Sequence, residues 1–227
     1  MIHHIPNVLT AEQLQYFRQE MAKVDWVDGK SSTGSLSAHV KNNQQLAVDH
    51  PLTLHLGDII LAALAQHPVF NSAALPFKFL PPYFNRYENG ESFGFHVDNA
   101  IRWLPNSQER IRTDLSCTLF LSAPEEYEGG ELVIEDSYGY HEVKLPAGDL
   151  ILYPSTSVHE VSPVSSGCRV ASFFWLQSMI RDDAERHLLF NLDQNIQNLR
   201  IELGDQHSEV VKLSSLYHNL IRKWAEI

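Results

Sequence analysis

Cysteine is nearly absent: Cys117 and Cys168 are the only two among 227 residues, and both sit in apolar, strand-like runs. A disulfide framework is therefore not expected, and buried free thiols are. No apolar run approaches the roughly 18 residues that a membrane span needs. The start, Met1-Ile-His-His-Ile-Pro, lacks the basic, apolar and small-residue layout of a secretory signal. A cytoplasmic protein without a membrane partner is the expectation. Positive charge is also scarce, since 17 Lys and Arg against 28 Asp and Glu leave a formal charge of −11. Such a balance repels phosphate backbones, which argues against nucleic acid as a partner. The acidic run Glu125, Glu126, Glu128, Glu131, Glu135 and Asp136 fits a solvated hairpin edge better than a cation site. Internal repeats, low-complexity tracts, flexible linkers and a helical His-Glu-x-x-His zinc motif are all missing.

What is present is a 44% apolar chain, long enough for one domain with an appendage. Thr10 with Gln13 has the form of a capping box, and Leu14, Phe17, Met21 and Val24 follow at helical spacing. After a polar stretch from Asp28 to Gln45, Pro51 opens a second helix carrying Leu52, Leu56, Ile59, Ile60, Ala63 and Leu64, stopped before Pro68. From Phe77 the texture changes to short aromatic and β-branched runs. Strands are expected at 77–80, 83–87, 94–97, 115–122, 131–134, 142–145, 149–153, 158–161 and 169–176, with Gly, Pro, Asn and Ser between them. Many short strands without crossover helices predict a mainly β fold, a double-stranded β-helix or jelly roll. Beyond Met179 two helical stripes return, Ala184, Leu188, Leu192, Ile196 and Leu199, then Leu213, Leu216, Leu220 and Trp224. The expected layout is a supporting region at 1–76, a jelly-roll core at 77–178 and a helical extension at 179–227. The apolar stripes of that extension suit packing on the barrel and a homo-oligomer contact equally well.

The chemistry centres on Tyr87-Glu-Asn-Gly-Glu-Ser-Phe-Gly-Phe-His96-Val97-Asp98. On a strand, side chains two apart leave the same face with Cα atoms roughly 7 Å apart, so His96 and Asp98 can reach one ion. His159, after a Pro-Ser turn, is the candidate third ligand. Two imidazoles and one carboxylate suit ferrous iron and leave positions open for a co-substrate and dioxygen; zinc accepts the same set. Arg169 lies ten residues on, past Ser165-Ser166-Gly167, where the two strands should form a hairpin. Arg169 would then sit roughly 13 Å along the ladder from His159, a gap suited to a small dicarboxylate gripped by its guanidinium. Tyr87 could add a hydroxyl donor to that carboxylate. The segment Asn99–Arg112 is a candidate lid, with Arg102 and Trp103 over the open metal face, whereas Trp175 suits the core.

The set Tyr87, His96-Val97-Asp98, Glu128-Gly-Gly-Glu-Leu132, Gly148-Asp149, His159 and Arg169 resembles the iron(II) and 2-oxoglutarate-dependent dioxygenases of the prolyl 4-hydroxylase type. The whole chain, helical tail included, resembles more narrowly the bacterial PKHD-type hydroxylases. The resemblance implies that His96, Asp98 and His159 hold Fe(2+), that Arg169 binds the C5 carboxylate of 2-oxoglutarate, and that ascorbate keeps the metal reduced. It further implies hydroxylation of an organic substrate with decarboxylation of 2-oxoglutarate to succinate, and a link to iron uptake. Two other readings stand beside it. A cupin-like dioxygenase would use the triad without the co-substrate, against which Arg169 argues, and a non-catalytic jelly roll would bind a metal or ligand as a sensor.

Overall fold

The capping box forms as the residues dictate: the Gln13 backbone N–H donates to the Thr10 hydroxyl and the Thr10 N–H donates to the Gln13 side chain. The computed structural model describes residues 1–32 and 39–227, so part of the polar stretch between Asp28 and Gln45 lies outside the described residues. The chain begins with β1 (His3–Ile5), α1 (Ala11–Met21), β2 (Val27–Asp28), β3 (Lys41–Asn42) and β4 (Gln44–Gln45). Helices α2 (Pro51–Ala65) and α3 (Pro68–Ala74) follow. The body then runs through β5 (Pro76–Phe79), β6 (Tyr83–Tyr87), β7 (Ser92–His96), β8 (Ile101–Trp103), β9 (Arg110–Arg112) and β10 (Leu115–Phe120). It continues with β11 (Tyr127–Gly129), β12 (Leu132–Asp136), β13 (Gly139–Val143), β14 (Leu150–Pro154), β15 (His159–Val161), β16 (Val164–Gly167) and β17 (Arg169–Ser178). Helices α4 (Asp183–Leu203) and α5 (Ser208–Trp224) end the chain.

Two antiparallel sheets make the jelly roll. The larger has the order β1-β14-β10-β17-β6-β4-β2, with β5 also on β17, and the smaller has the order β13-β12-β15-β7-β3. Period-two alternation divides the large sheet's side chains between two environments. Leu115, Leu119, Leu150, Leu152, Phe84, Phe174 and Leu176 pack outward on Phe17 and Met21 of α1, Leu56, Ile60 and Leu64 of α2, and Phe70 of α3. Their neighbours Tyr87, Phe120, Ile151 and Tyr153 point inward, against Leu132, Ile134 and Val161 of the small sheet. Strand β10 is buried along its whole length, its Leu115, Cys117 and Leu119 facing the helices and Ser116, Thr118 and Phe120 facing the barrel interior.

Several elements differ from the sequence expectation. The second helix ends before Pro68 as expected, at Ala65, but Pro68 then opens a further helix, α3, sitting in its first turn, where a missing N–H costs nothing. The first residues form an edge strand on β14, fixed where His4 meets the Asp149 carboxylate at 2.7 Å and the Asn7 N–H donates to it at 2.8 Å. In α4 the buried positions are Leu189 and Ile196, while Leu188 is exposed. The stripe is rotated because Arg186 is itself buried, donating to the carbonyls of Ile180 and Arg181 and to Asp183. Helix α5 packs Tyr217, Leu220, Ile221 and Trp224 against Leu75, Ile180 and Leu189, whereas Leu216 is exposed. Among the described residues no helix is long and apolar enough to cross a membrane, and both cysteines are free thiols.

Candidate active site

The expected hairpin between the His159 and Arg169 strands does not form. Strand β15 pairs with β12 and β7 in the small sheet, and β17 pairs with β10, β6 and β5 in the large one. The residues read as a turn, Ser165-Ser166-Gly167, belong to β16, which pairs with β11. Successive jelly-roll strands alternate between sheets, so these two strands are not neighbours in one ladder. Arg169 and His159 line the same cavity from opposite sheets. The actual ladder partner of Arg169 is Tyr87.

His96 and His159 stand directly opposite each other on β7 and β15, with ring centroids 4.3 Å apart. Asp98, just past the end of β7, brings its Oδ2 to 3.7 Å from His159 Nε2. One ligand atom from each of the three lies within 4.8 Å of the others. The imidazoles are held in a defined tautomer: His96 Nδ1 faces the Gly94 carbonyl at 2.9 Å and His159 Nδ1 faces the Ser157 carbonyl at 3.0 Å. A carbonyl can only accept, so each Nδ1 carries the proton and each Nε2 keeps its lone pair for an ion. Burial, reinforced by the neighbouring His159, pushes His96 down to about 4, so it is neutral at pH 7, as a ligand must be.

The register between β7 and β15 shifts between the His159–His96 and Val161–Phe93 pairs, so three steps on one strand oppose two on the other. That bulge puts Phe93 and His96, of opposite parity, on one wall, where the rings stack with centroids 3.6 Å apart. Ser116, on β10 of the facing sheet, donates its hydroxyl to Asp98 Oδ2 at 2.6 Å. Its single proton is thereby used, so in the 2.7 Å contact with Ser155 it is Ser155 that donates. This pair orients the carboxylate. Ser116→Ala is expected to lower divalent-metal affinity by roughly 10–100-fold while the fold persists, as read by calorimetric metal titration; unchanged affinity would show the hydroxyl to be structural only.

Arg169 is the most unusual group in the cavity. It is 1% exposed, and none of its three guanidinium nitrogens has a hydrogen-bond partner among the described residues. Its charge lies over the rings of Tyr87 and Phe120, 5.4 and 5.3 Å from their centroids. Aromatic faces relieve only part of what burying a cation costs, which is several kcal/mol. The geometry is that of a cation awaiting an anion. Room for it comes from Gly130, at φ +67°, where an added Cβ would meet Arg169 Cδ at 3.0 Å and Val164 Cγ2 at 2.8 Å. Tyr87, fully buried beside it, is pushed up to about 12 by that burial and keeps its phenolic proton.

The cavity opens to solvent, and together with the open space at its mouth it encloses about 720 Å³. Residues 99–112 form a β-hairpin on its rim rather than a loop. Arg102 is paired with Ile111, which is fully buried and packs on Trp175 and Leu80. Alternation then separates the two expected lid residues. Arg102 lines the cavity with its guanidinium 4.2 Å from the Trp175 ring. Trp103 is 57% exposed, covered by Arg110 instead, and not over the metal face. Trp175 is a cavity wall.

Sequence reasoning missed Lys41, Ser116 and Ser155. Ser116 and Thr118 were visible as polar residues at period two in the apolar run Leu115–Phe120. Lys41 left no signal, because its two-residue strand lies in a polar stretch. It is 2% exposed, lines the cavity, and sits over the rings of Phe93 and Phe173 at 5.2 and 5.4 Å. Burial first, then the charge of Arg102, brings its amine down to about 7, with Asp28 and Asp98 acting in the opposite sense.

Residues 82–177 match the model of the 2OG-Fe(II) oxygenase superfamily, and residues 183–226 match that of the PKHD-type hydroxylase C-terminal domain. A PKHD-type hydroxylase of Acinetobacter baumannii (strain AYE) is 72% identical over 227 residues, covering 100% of both chains. Among solved structures, a Pseudomonas putida prolyl-4-hydroxylase is similar at TM-score 0.51 and 20% identity, covering 78% of this chain and 92% of its own. A Trichoplax adhaerens prolyl hydroxylase, in complex with a hypoxia inducible factor peptide fragment, is similar at TM-score 0.57 and 14% identity, covering 82% and 86%. At those identities the structural likeness establishes the shared jelly-roll fold alone. The full-length identity establishes more: this chain belongs to the PKHD-type hydroxylases and is an iron- and 2-oxoglutarate-dependent hydroxylase.

Proposed function

We propose that His96, Asp98 and His159 hold the ferrous iron, that Arg169 with Tyr87 binds the C5 carboxylate of 2-oxoglutarate, and that the open part of the cavity receives the organic substrate to be hydroxylated. The observation that carries this reading is the buried guanidinium of Arg169, without a hydrogen-bond partner among the described residues, on the wall opposite three convergent metal-ligand side chains. Two imidazoles and a carboxylate fit ferrous iron and leave coordination positions for a 2-oxo acid and dioxygen. Iron bound there supplies the chemistry that couples decarboxylation of 2-oxoglutarate to succinate with hydroxylation of a substrate carbon.

The protein's own contribution is placement and exclusion. The Ser116 and Ser155 hydroxyls orient the Asp98 carboxylate, and the backbone carbonyls of Gly94 and Ser157 orient the imidazoles. Arg169 would grip the far end of the co-substrate through parallel charge-assisted hydrogen bonds. The Tyr87 oxygen accepts from the Asn85 side-chain amide at 3.3 Å, which leaves its phenolic proton to donate to the same carboxylate. Phe120, Tyr127 and Val164 close this end against water.

Family membership favours this enzyme over the non-catalytic sensor. On the same reading residues 1–76 brace the barrel, 77–178 form the oxygenase core and 179–227 form its helical extension. Ascorbate as reductant, a link to iron uptake, a cytoplasmic address and an organic rather than nucleic-acid substrate complete the proposal. Its test is anaerobic titration of the iron-loaded protein with 2-oxoglutarate. The visible absorption of a 2-oxo acid chelated to ferrous iron is expected to appear in the parent and to vanish in His96→Ala. A parent that binds iron but never develops that band would overturn the assignment.

A further inference from the structure

Arg169 is not alone at its end of the barrel in being a buried donor without an acceptor. The Tyr127 hydroxyl also has no hydrogen-bond partner among the described residues, although the residue is only 3% exposed. Tyr127 opens β11, and its register partner on β16 is Gly167, two residues before Arg169 in the chain. The two side chains converge on Gly130: a Cβ added there would meet Arg169 Cδ at 3.0 Å and Tyr127 Cε2 at 3.1 Å, so they lie side by side. Tyr87, Phe120 and Val164 belong to the same buried cluster as Tyr127. Lys144 holds the phenol in place, its ammonium 4.1 Å from the ring centroid and donating to the backbone carbonyls of Tyr127 and Gly129. Burial raises the pKa of this phenol, against the opposing effect of the Arg169 charge, so at pH 7 the hydroxyl keeps its proton.

A buried hydroxyl without a partner is destabilising, and one beside a guanidinium in the same condition calls for a single anion that satisfies both. Given the proposed function, on which this inference rests, we infer that Tyr127 is a further co-substrate-binding residue, its hydroxyl donating to the C5 carboxylate of 2-oxoglutarate alongside Arg169 and Tyr87. A carboxylate offers about four lone-pair sites. Parallel bonds from the guanidinium fill two of them, Tyr87 a third and Tyr127 the last. This end of the barrel then selects a diacid. A 2-oxo acid with an apolar tail leaves the guanidinium and the Tyr127 hydroxyl unpaired, and a site whose buried polar groups are left unpaired rejects such an analogue. The role of Tyr127 is discrimination among 2-oxo acids, separate from holding the metal.

The test uses full-length protein loaded with manganese(II), a state without turnover, and calorimetric titration with two probes. One is 2-oxoglutarate and the other is 2-oxopentanoate, which carries a methyl group in place of the distal carboxylate. Tyr127→Phe removes one oxygen and keeps the ring. It is expected to weaken 2-oxoglutarate by roughly 10–100-fold, the range for a hydrogen bond to a charged group. Its affinity for 2-oxopentanoate should stay within about twofold of the parent's, and its manganese affinity likewise. A packing role alone would weaken both oxo acids equally. The apo variant should melt no lower than the apo parent, since it loses a hydroxyl that has no partner there. Affinity for 2-oxoglutarate within about twofold of the parent's, equal losses for the two oxo acids, or an apo variant melting well below the parent would each overturn the inference. Failure of the parent to prefer 2-oxoglutarate over 2-oxopentanoate is a different result, which would sink the proposed function's assignment of this end of the cavity before Tyr127 is tested.

Discussion

His159→Ala is expected to abolish 2-oxoglutarate-dependent hydroxylation and to lower ferrous-iron affinity by more than about 100-fold, since even groups that only orient metal ligands are worth roughly 10–100-fold. The large effect follows from where the residue sits. His159 is opposite His96 in the small sheet and its Nε2 is 3.7 Å from Asp98, so without it two ligands remain, both from the β7 segment on one side of the site. The loss should not be one of folding. Strand β15 keeps its ladder to β12 and β7 through backbone groups that the substitution does not touch, and Tyr153, which meets the His159 ring edge-on at 5.2 Å, is fixed by β14 itself. Far-ultraviolet circular dichroism matching the parent, with iron binding lost in anaerobic titration, is the expected pair of results. Iron affinity within tenfold of the parent would remove His159 from the centre.

What could be read from the chain and what could not divide along a physical line. The closeness of His96 and Asp98 was legible from their spacing of two, although Asp98 lies just past the end of β7, and the structure brings His159 to the same place. The strands of the barrel were legible because short runs rich in apolar and β-branched residues, such as Leu115–Phe120, are bounded by turn residues. The relation of Arg169 to His159 was misread because sequence distance was taken for distance along one ladder. In a jelly roll ten residues are enough to cross from one sheet to the other, and the four residues of β16 pair with β11 on the way. Trp103 was misplaced by one step of alternation, which sends it to the outer face of a hairpin whose inner face carries Arg102 and Ile111. Lys41 was invisible, since its position comes from pairing with Phe93 across a two-residue strand, a contact with no local pattern. Periodicity within an element shows in the sequence, and pairing between elements does not.

Arg169→Met should separate stability from function in opposite directions. With the guanidinium gone, the co-substrate's distal carboxylate enters an apolar pocket without its partner, and removing one member of a buried charged pair costs about 2–5 kcal/mol. That corresponds to roughly 30- to 4,000-fold in affinity for 2-oxoglutarate, with iron binding retained because none of the three ligands is touched. The apo protein, by contrast, should become more stable. It now buries a charge whose nitrogens lack hydrogen-bond partners among the described residues, and replacing buried charged groups with apolar ones of similar volume stabilises by about 1–4 kcal/mol in favourable cases. For a chain of this size the rise in Tm is roughly 2–4 °C per kcal/mol. Adding metal and 2-oxoglutarate should then reverse the order, because the parent gains about 2.7 kcal/mol at a ligand concentration 100 times its Kd and the variant gains little. Thermal scans of both proteins, with and without the two ligands, measure all four states. A variant that melts well below the apo parent and still binds 2-oxoglutarate as tightly would mean that Arg169 is a structural residue already satisfied within the fold.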